Sequence, residues 1–164
     1  MATQATQQTP YYAEIAVKYD GLKNDGSTVV AADVAIGDTV TIKDALDTDG
    51  TMLVCRPETA TLENTKFLVT DVSPTVNQIT TGTTRRGGII KVAPWKSITG
   101  IVQASVANGV NAADALVCTD GTFALSASTS VASVAAIAAY VGYARAANGT
   151  GANALKSVQA GVLN

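Results

Sequence analysis

The chain contains no histidine, so the commonest general base and the commonest metal-ligating side chain are both missing. Charge is scarce: Asp, Glu, Lys and Arg make up 15% of the residues and the formal net charge is -2, which gives no electrostatic drive toward nucleic acid or an anionic membrane. Aromatic residues are only 5%, too few to furnish the ring-lined face of a typical glycan or receptor site. The two cysteines, Cys55 and Cys118, stand far apart inside apolar stretches ("MLVCRP", "ALVCTD"). They form no C-x-x-C pair and read as small buried hydrophobes rather than as a disulfide or a reactive thiol. The first ten residues, "MATQATQQTP", carry neither a basic nor an apolar signal region, and the reading is a protein made and kept in the cytosol or in a particle assembled there.

A long hydrophobic run is also absent. The most apolar stretch, "SVASVAAIAAYVGYARAA" at 130–147, has an apolar core shorter than the roughly 20 residues of a membrane span. Val131, Val134, Ile137 and Val141 recur three or four apart, which predicts a helical turn or loop over 130–138 leading into a strand from Tyr140 onward.

What the chain has in quantity is short alternating segments separated by turn residues. Strands are predicted at 13–19, around "TVTI" at 39–42, and at 51–56, 66–72, 89–95 and 97–107. A hairpin is predicted over 114–126 around Asp120-Gly121, and a second pairs 140–146 with 154–163 around "ANGTGAN". Hydrophobic residues at 47% of 164 suit one globular domain. The fold class read from this pattern is mainly β: a small antiparallel β-barrel or sandwich, with an extended N-terminal arm over 1–12 and at most one or two short helices, residues 13–164 forming a single β-rich domain. The stretches "GDTVTIKDALDTDGTML" and "NAADALVCTDGTFAL" share a loose plan of small residues, strand, Asp-Gly and strand, which falls short of a repeat.

No arrangement of residues points to catalysis or to a bound cofactor. "ALDTDG" mimics a calcium loop, but Ala45 and Arg56 occupy its first and twelfth ligand positions. There is no phosphate-binding glycine loop and no nucleophile elbow, and the many Ser and Thr hydroxyls lack a histidine base. Three features read instead as contacts to other chains. Pro10 keeps Thr9 extended, and Tyr11 and Tyr12 are amphipathic anchors at the base of the arm. Arg85 and Arg86 sit between glycines in "GTTRRGG", a loop able to mould itself to a partner. Trp95, the single tryptophan, follows Pro94 at a strand end and reads either as a core plug or as an interface anchor.

Three segments carry a resemblance to a known family. "DVAIGDTVTI" resembles the opening module of the capsid decoration proteins (cement or head-stabilising proteins) of tailed bacteriophages. "GVNAADALVCTDGTFAL" resembles their later turn–strand–turn–strand module, and "AAYVGYARAANGTGANALKSVQAGVLN" their C-terminal hairpin; together the likeness covers about 27–41 and 98–164. The resemblance implies a β-barrel-like homotrimer on the outer capsid surface of a virion assembled in the host cytoplasm. Its partners would be the major capsid protein and itself, with no nucleic acid, no membrane, no cofactor and no catalysis. Thr9, Pro10, Tyr11, Tyr12, Arg85, Arg86 and Trp95 are then the candidate capsid or inter-subunit contacts. The alternative is a phage tail, fibre or surface β-module that binds a receptor or glycan.

Overall fold

The structure, a computed structural model, describes residues 12–19, 33–46, 52–55, 66–73, 88–118, 124–127 and 140–160. The predicted arm up to Tyr11, Arg85 and Arg86 of the "GTTRRGG" loop and the helical turn at 130–138 lie outside the described residues. Among the described residues the fold is mainly β, as the alternation predicts. Ten strands are present: β1 (Ile15–Tyr19), β2 (Thr39–Leu46), β3 (Met52–Cys55), β4 (Lys66–Val72), β5 (Gly88–Pro94), β6 (Gly100–Val106), β7 (Ala115–Cys118), β8 (Leu125–Ala127), β9 (Tyr140–Ala144) and β10 (Ala154–Ala160). One turn of 3-10 helix, Trp95–Ser97, joins β5 to β6. Both predicted hairpins form, β7 against β8 and β9 against β10.

The strands close into two five-membered barrels, in the order β1-β3-β2-β4-β5 and β10-β6-β8-β7-β9. Period-two alternation explains why each barrel has a filled interior. Along β6, for example, Val102, Ala104 and Val106 point inward and are buried, while Ile101 and Gln103 face out. The first barrel is filled by Val17, Tyr19, Val40, Phe67, Val69, Ile90 and Val92, with Val34 beside them. The second is filled around Val106, Leu116, Leu125, Ala144 and Val158, and this cluster extends across to Leu68, Ala93 and Trp95 of the first half. The region read from sequence as one β-rich domain thus contains two barrels that share packed surface.

The two barrels have the same plan. Numbered in chain order within each, the first strand pairs with the fifth and the third, the second with the third and the fourth, and the fourth with the fifth. In both, the one parallel pairing joins the first strand to the third: β1 to β3 through Lys18↔Leu53 and Tyr19↔Val54, and β6 to β8 through Val106↔Leu125. The remaining ladders are antiparallel.

The likeness extends to single hydrogen bonds in the turn that precedes the second strand of each barrel. In the first, Asp38 N–H donates to Ala35 O (3.1 Å) and Ala35 N–H to Asp38 Oδ2 (2.9 Å). In the second, Asp114 N–H donates to Asn111 O (3.2 Å) and Asn111 N–H to Asp114 Oδ2 (2.8 Å). The aspartate closes the turn with its own side chain, as Asp does in such positions. Each turn is then stitched to the fourth strand by the same two bonds. Gly37 N–H donates to Val69 O (2.9 Å) and Val69 N–H to Asp38 O (2.8 Å); Ala113 N–H donates to Ala144 O (2.8 Å) and Ala144 N–H to Asp114 O (2.9 Å). The loose likeness between "GDTVTIKDALDTDGTML" and "NAADALVCTDGTFAL" therefore marks equivalent elements of two like barrels, and the reading that it falls short of a repeat is corrected.

Candidate interaction surface

The contacts predicted from sequence divide sharply. Thr9, Pro10, Tyr11, Arg85 and Arg86 lie outside the described residues. Tyr12 is half-buried and packs against the core cluster of its own second barrel, so at least part of its ring serves the chain itself rather than a neighbour. Trp95 is 6% exposed within the same cluster, and its indole N–H donates to the carbonyl oxygen of Val141 on β9. Of the two readings left open for Trp95, the structure supports the core plug: the ring links the barrels from inside and is not presented to another chain. Pro94 fixes the backbone ahead of it with φ -57°, which turns the chain out of β5 and lets the indole cross to the second barrel.

A second link joins the barrels on their outer surface. Ser105 N–H on β6 donates to Gly37 O (2.7 Å), and the Ser105 side chain hydrogen-bonds the carboxylate of Asp38. Leu155 Cδ2 lies against Gly37 so closely that a Cβ there would fall 2.2 Å from it. Burial at this junction desolvates Asp38 and raises its pKa above the ordinary 3.8, partly offset by the hydrogen bonds from Ala35 and Ser105. The first barrel's 35–38 turn is therefore seated on the β6–β10 face of the second. Sequence reasoning missed this contact, because its signal is the Gly-Asp pair that also serves as an ordinary turn.

Away from the junction, the second barrel is tied by Asn148, which is buried. Its amide donates to Val106 O (2.8 Å) and Ala152 O (2.9 Å) and accepts from Thr150 Oγ1 (2.8 Å). Both sides of the amide are thus satisfied, the condition under which a buried polar group is tolerated. The network holds the β9–β10 loop against the chain leaving β6.

The described surface carries several exposed apolar side chains. Among the described residues no group of three or more His, Cys, Asp or Glu is placed to hold a metal, and no helix is long and apolar enough to cross a membrane. Ile36, Ile89, Ile101, Tyr143 and Leu155 are large hydrophobics left exposed. On the second barrel, Ile101 and Tyr143 both stand opposite Gln159 across adjacent strands, which makes one uncharged row on the outer wall. Such a row is suited to a protein partner. No known protein-family model matches the chain, and no curated protein sequence does so either.

Proposed function

We propose that this protein is a structural, non-enzymatic capsid decoration protein. In this reading it binds the outer surface of a phage head, clamps neighbouring major capsid subunits and assembles as a homotrimer. The observation that carries the reading is the pair of equivalent turn–strand modules. The two stretches whose sequences resemble the decoration family, "DVAIGDTVTI" and "GVNAADALVCTDGTFAL", occupy the same place in the two barrels and use the same hydrogen bonds. Physical chemistry is compatible with the role. A clamp needs stiff, closed β structure and uncharged surface to bury, and weak contacts suffice when many copies act on one lattice. In this reading the arm over 1–12, expected from its sequence to be extended, adds backbone hydrogen bonds to a neighbour, and Arg85 and Arg86 add polar contacts at the rim of the interface.

The test is electron microscopy of the source particle, together with native mass spectrometry of its heads. The expected result is this chain on the head exterior in a copy number commensurate with the capsid lattice. Its absence from heads, or a few copies confined to a tail, overturns the proposal. Removing residues 1–10 is expected to leave the melting temperature of the free protein unchanged and to weaken its attachment to heads.

A further inference from the structure

The sequence holds two Asn-Gly steps, Asn108-Gly109 and Asn148-Gly149. Such a step carries its own reagent. The glycine amide nitrogen attacks the asparagine Cγ when the two meet, because glycine has no Cβ to hinder the approach and its backbone swings freely. The structure brings both steps to one end of the second barrel, in the loops that follow β6 and β9, and binds them to each other. Gly109 N–H donates to Asn148 O (2.8 Å) and Asn148 N–H to Val110 O (2.8 Å). Gly151 N–H donates to Asn108 Oδ1 (3.0 Å).

The two asparagines are held unequally. Asn148 is 1% exposed, and four hydrogen bonds fix its amide: Nδ2 donates to Val106 O and Ala152 O, and Oδ1 accepts from the backbone N–H and the hydroxyl of Thr150. Turning its Cγ onto Gly149 N gives up these bonds in a place that water hardly reaches. Asn108 and Gly109 are both exposed. Among the described residues two bonds oppose the reaction there, Gly151 N–H to Asn108 Oδ1 and Gly109 N–H to Asn148 O. Local opening of one exposed turn releases both together.

We propose that Asn108 is a site of spontaneous deamidation in the folded chain, and that its conversion removes the protection of Asn148. Gly109 N gives up its proton and bonds to Asn108 Cγ. The Cγ–Nδ2 bond breaks, and ammonia leaves with that proton. Water then opens the cyclic imide at either carbonyl, giving aspartate or isoaspartate. Isoaspartate routes the main chain through the former side chain and lengthens the turn, which draws Gly109 N–H away from Asn148 O. The modification thus adds a negative charge and loosens the paired loops at this end of the barrel. The inference does not depend on the capsid reading, since it concerns the free protein.

The test is to warm the full chain at mildly alkaline pH, folded in one sample and unfolded in urea in the other. Mass spectrometry with fragmentation of the intact chain follows the exchange of amide for carboxylate at each site. In urea the two asparagines are expected to convert at similar rates. In the folded protein Asn108 should convert about ten- to a hundredfold more slowly than in urea, the factor that opening two hydrogen bonds implies. Asn148 should lag Asn108 by at least about tenfold, since more bonds hold it, and its product should occur only in chains already converted at Asn108. Folded protein in which Asn148 converts first, or independently of Asn108, overturns the proposal. So does an Asn108 that converts at its urea rate, or one that stays intact in the folded protein over a time several hundredfold longer than its urea half-life.

Discussion

Ala113 holds in the second barrel the turn position that Gly37 holds in the first, with φ of +71° against +92°. An alanine in left-handed backbone is strained by about 1–2 kcal/mol, and glycine is free of that strain. Exchanging the two residue types should therefore have opposite effects. Gly37→Ala introduces the strain and pushes Leu155 aside, with an expected loss of about 1–2 kcal/mol. Ala113→Gly relieves it against an unfolded-state entropy cost of about 0.5–1 kcal/mol, so this variant should be neutral to slightly stabilised. Urea denaturation of both reads the signs directly.

Trp95 gives a graded test of the junction. Trp95→Ala is expected to destabilise by about 3–5 kcal/mol through the cavity it leaves. Trp95→Phe retains most of the apolar contact but removes the indole N–H from Val141 O, with an expected cost of about 1–3 kcal/mol. As the single tryptophan, it also reports on itself: its emission should be blue-shifted in the native state and move to the red on unfolding. Native emission already at the wavelength of free tryptophan would contradict its burial.

Asp38 makes stability depend on pH in a defined direction. Its folded pKa is raised by desolvation above the unfolded value, so the native state holds the proton more tightly than the unfolded chain. Its contribution is largest below the ordinary carboxylate range and is lost as pH rises through the raised folded value. Asp38→Asn removes this dependence while keeping a side-chain oxygen for Ala35 N–H. The expected outcome is a flatter profile of melting temperature across mildly acidic pH than the wild type gives.

Asn148 separates hydrogen bonding from charge. Asn148→Ala should cost about 1–3 kcal/mol by orphaning the carbonyls of Val106 and Ala152. Asn148→Asp should cost more, because it aims a buried carboxylate at those same carbonyl oxygens and can no longer donate to them. Thermal unfolding of the pair decides the order, and an aspartate variant as stable as wild type would contradict the buried network.

The strands were legible because their cause is local. "KFLVTDV" reads as a strand over the same residues that form β4, and Asp120-Gly121 announced the pairing of β7 with β8. The parallel pairings of β1 with β3 and of β6 with β8 have no local signature, since they join strands that are not consecutive. The duplicated plan was hidden for a related reason. Only the turn and the second strand align by eye; the other elements are displaced by loops of unequal length, and one glycine of the first turn is replaced by alanine in the second. Trp95 at a strand end looks the same from sequence whether it faces its own core or a partner. Its indole bond to Val141, 46 residues away, is a tertiary fact. Of the candidate contacts, sequence could name residue types, but the seating of the 35–38 turn on Ser105 required the tertiary structure.

The parallel pairings also set the order in which the protein comes apart. Each ring is fastened by four antiparallel ladders and one short parallel contact, and in the second barrel that contact is the Val106↔Leu125 pair with Ala107 N–H bonded to Leu125 O (2.8 Å). A closed ring opens first where fewest bonds must break at once. The amide of Ala107 is thus placed at a latch, and in deuterated water it should exchange well ahead of the amides along β6 that face β10. The second barrel would then breathe as an unrolled sheet still attached to an intact first barrel.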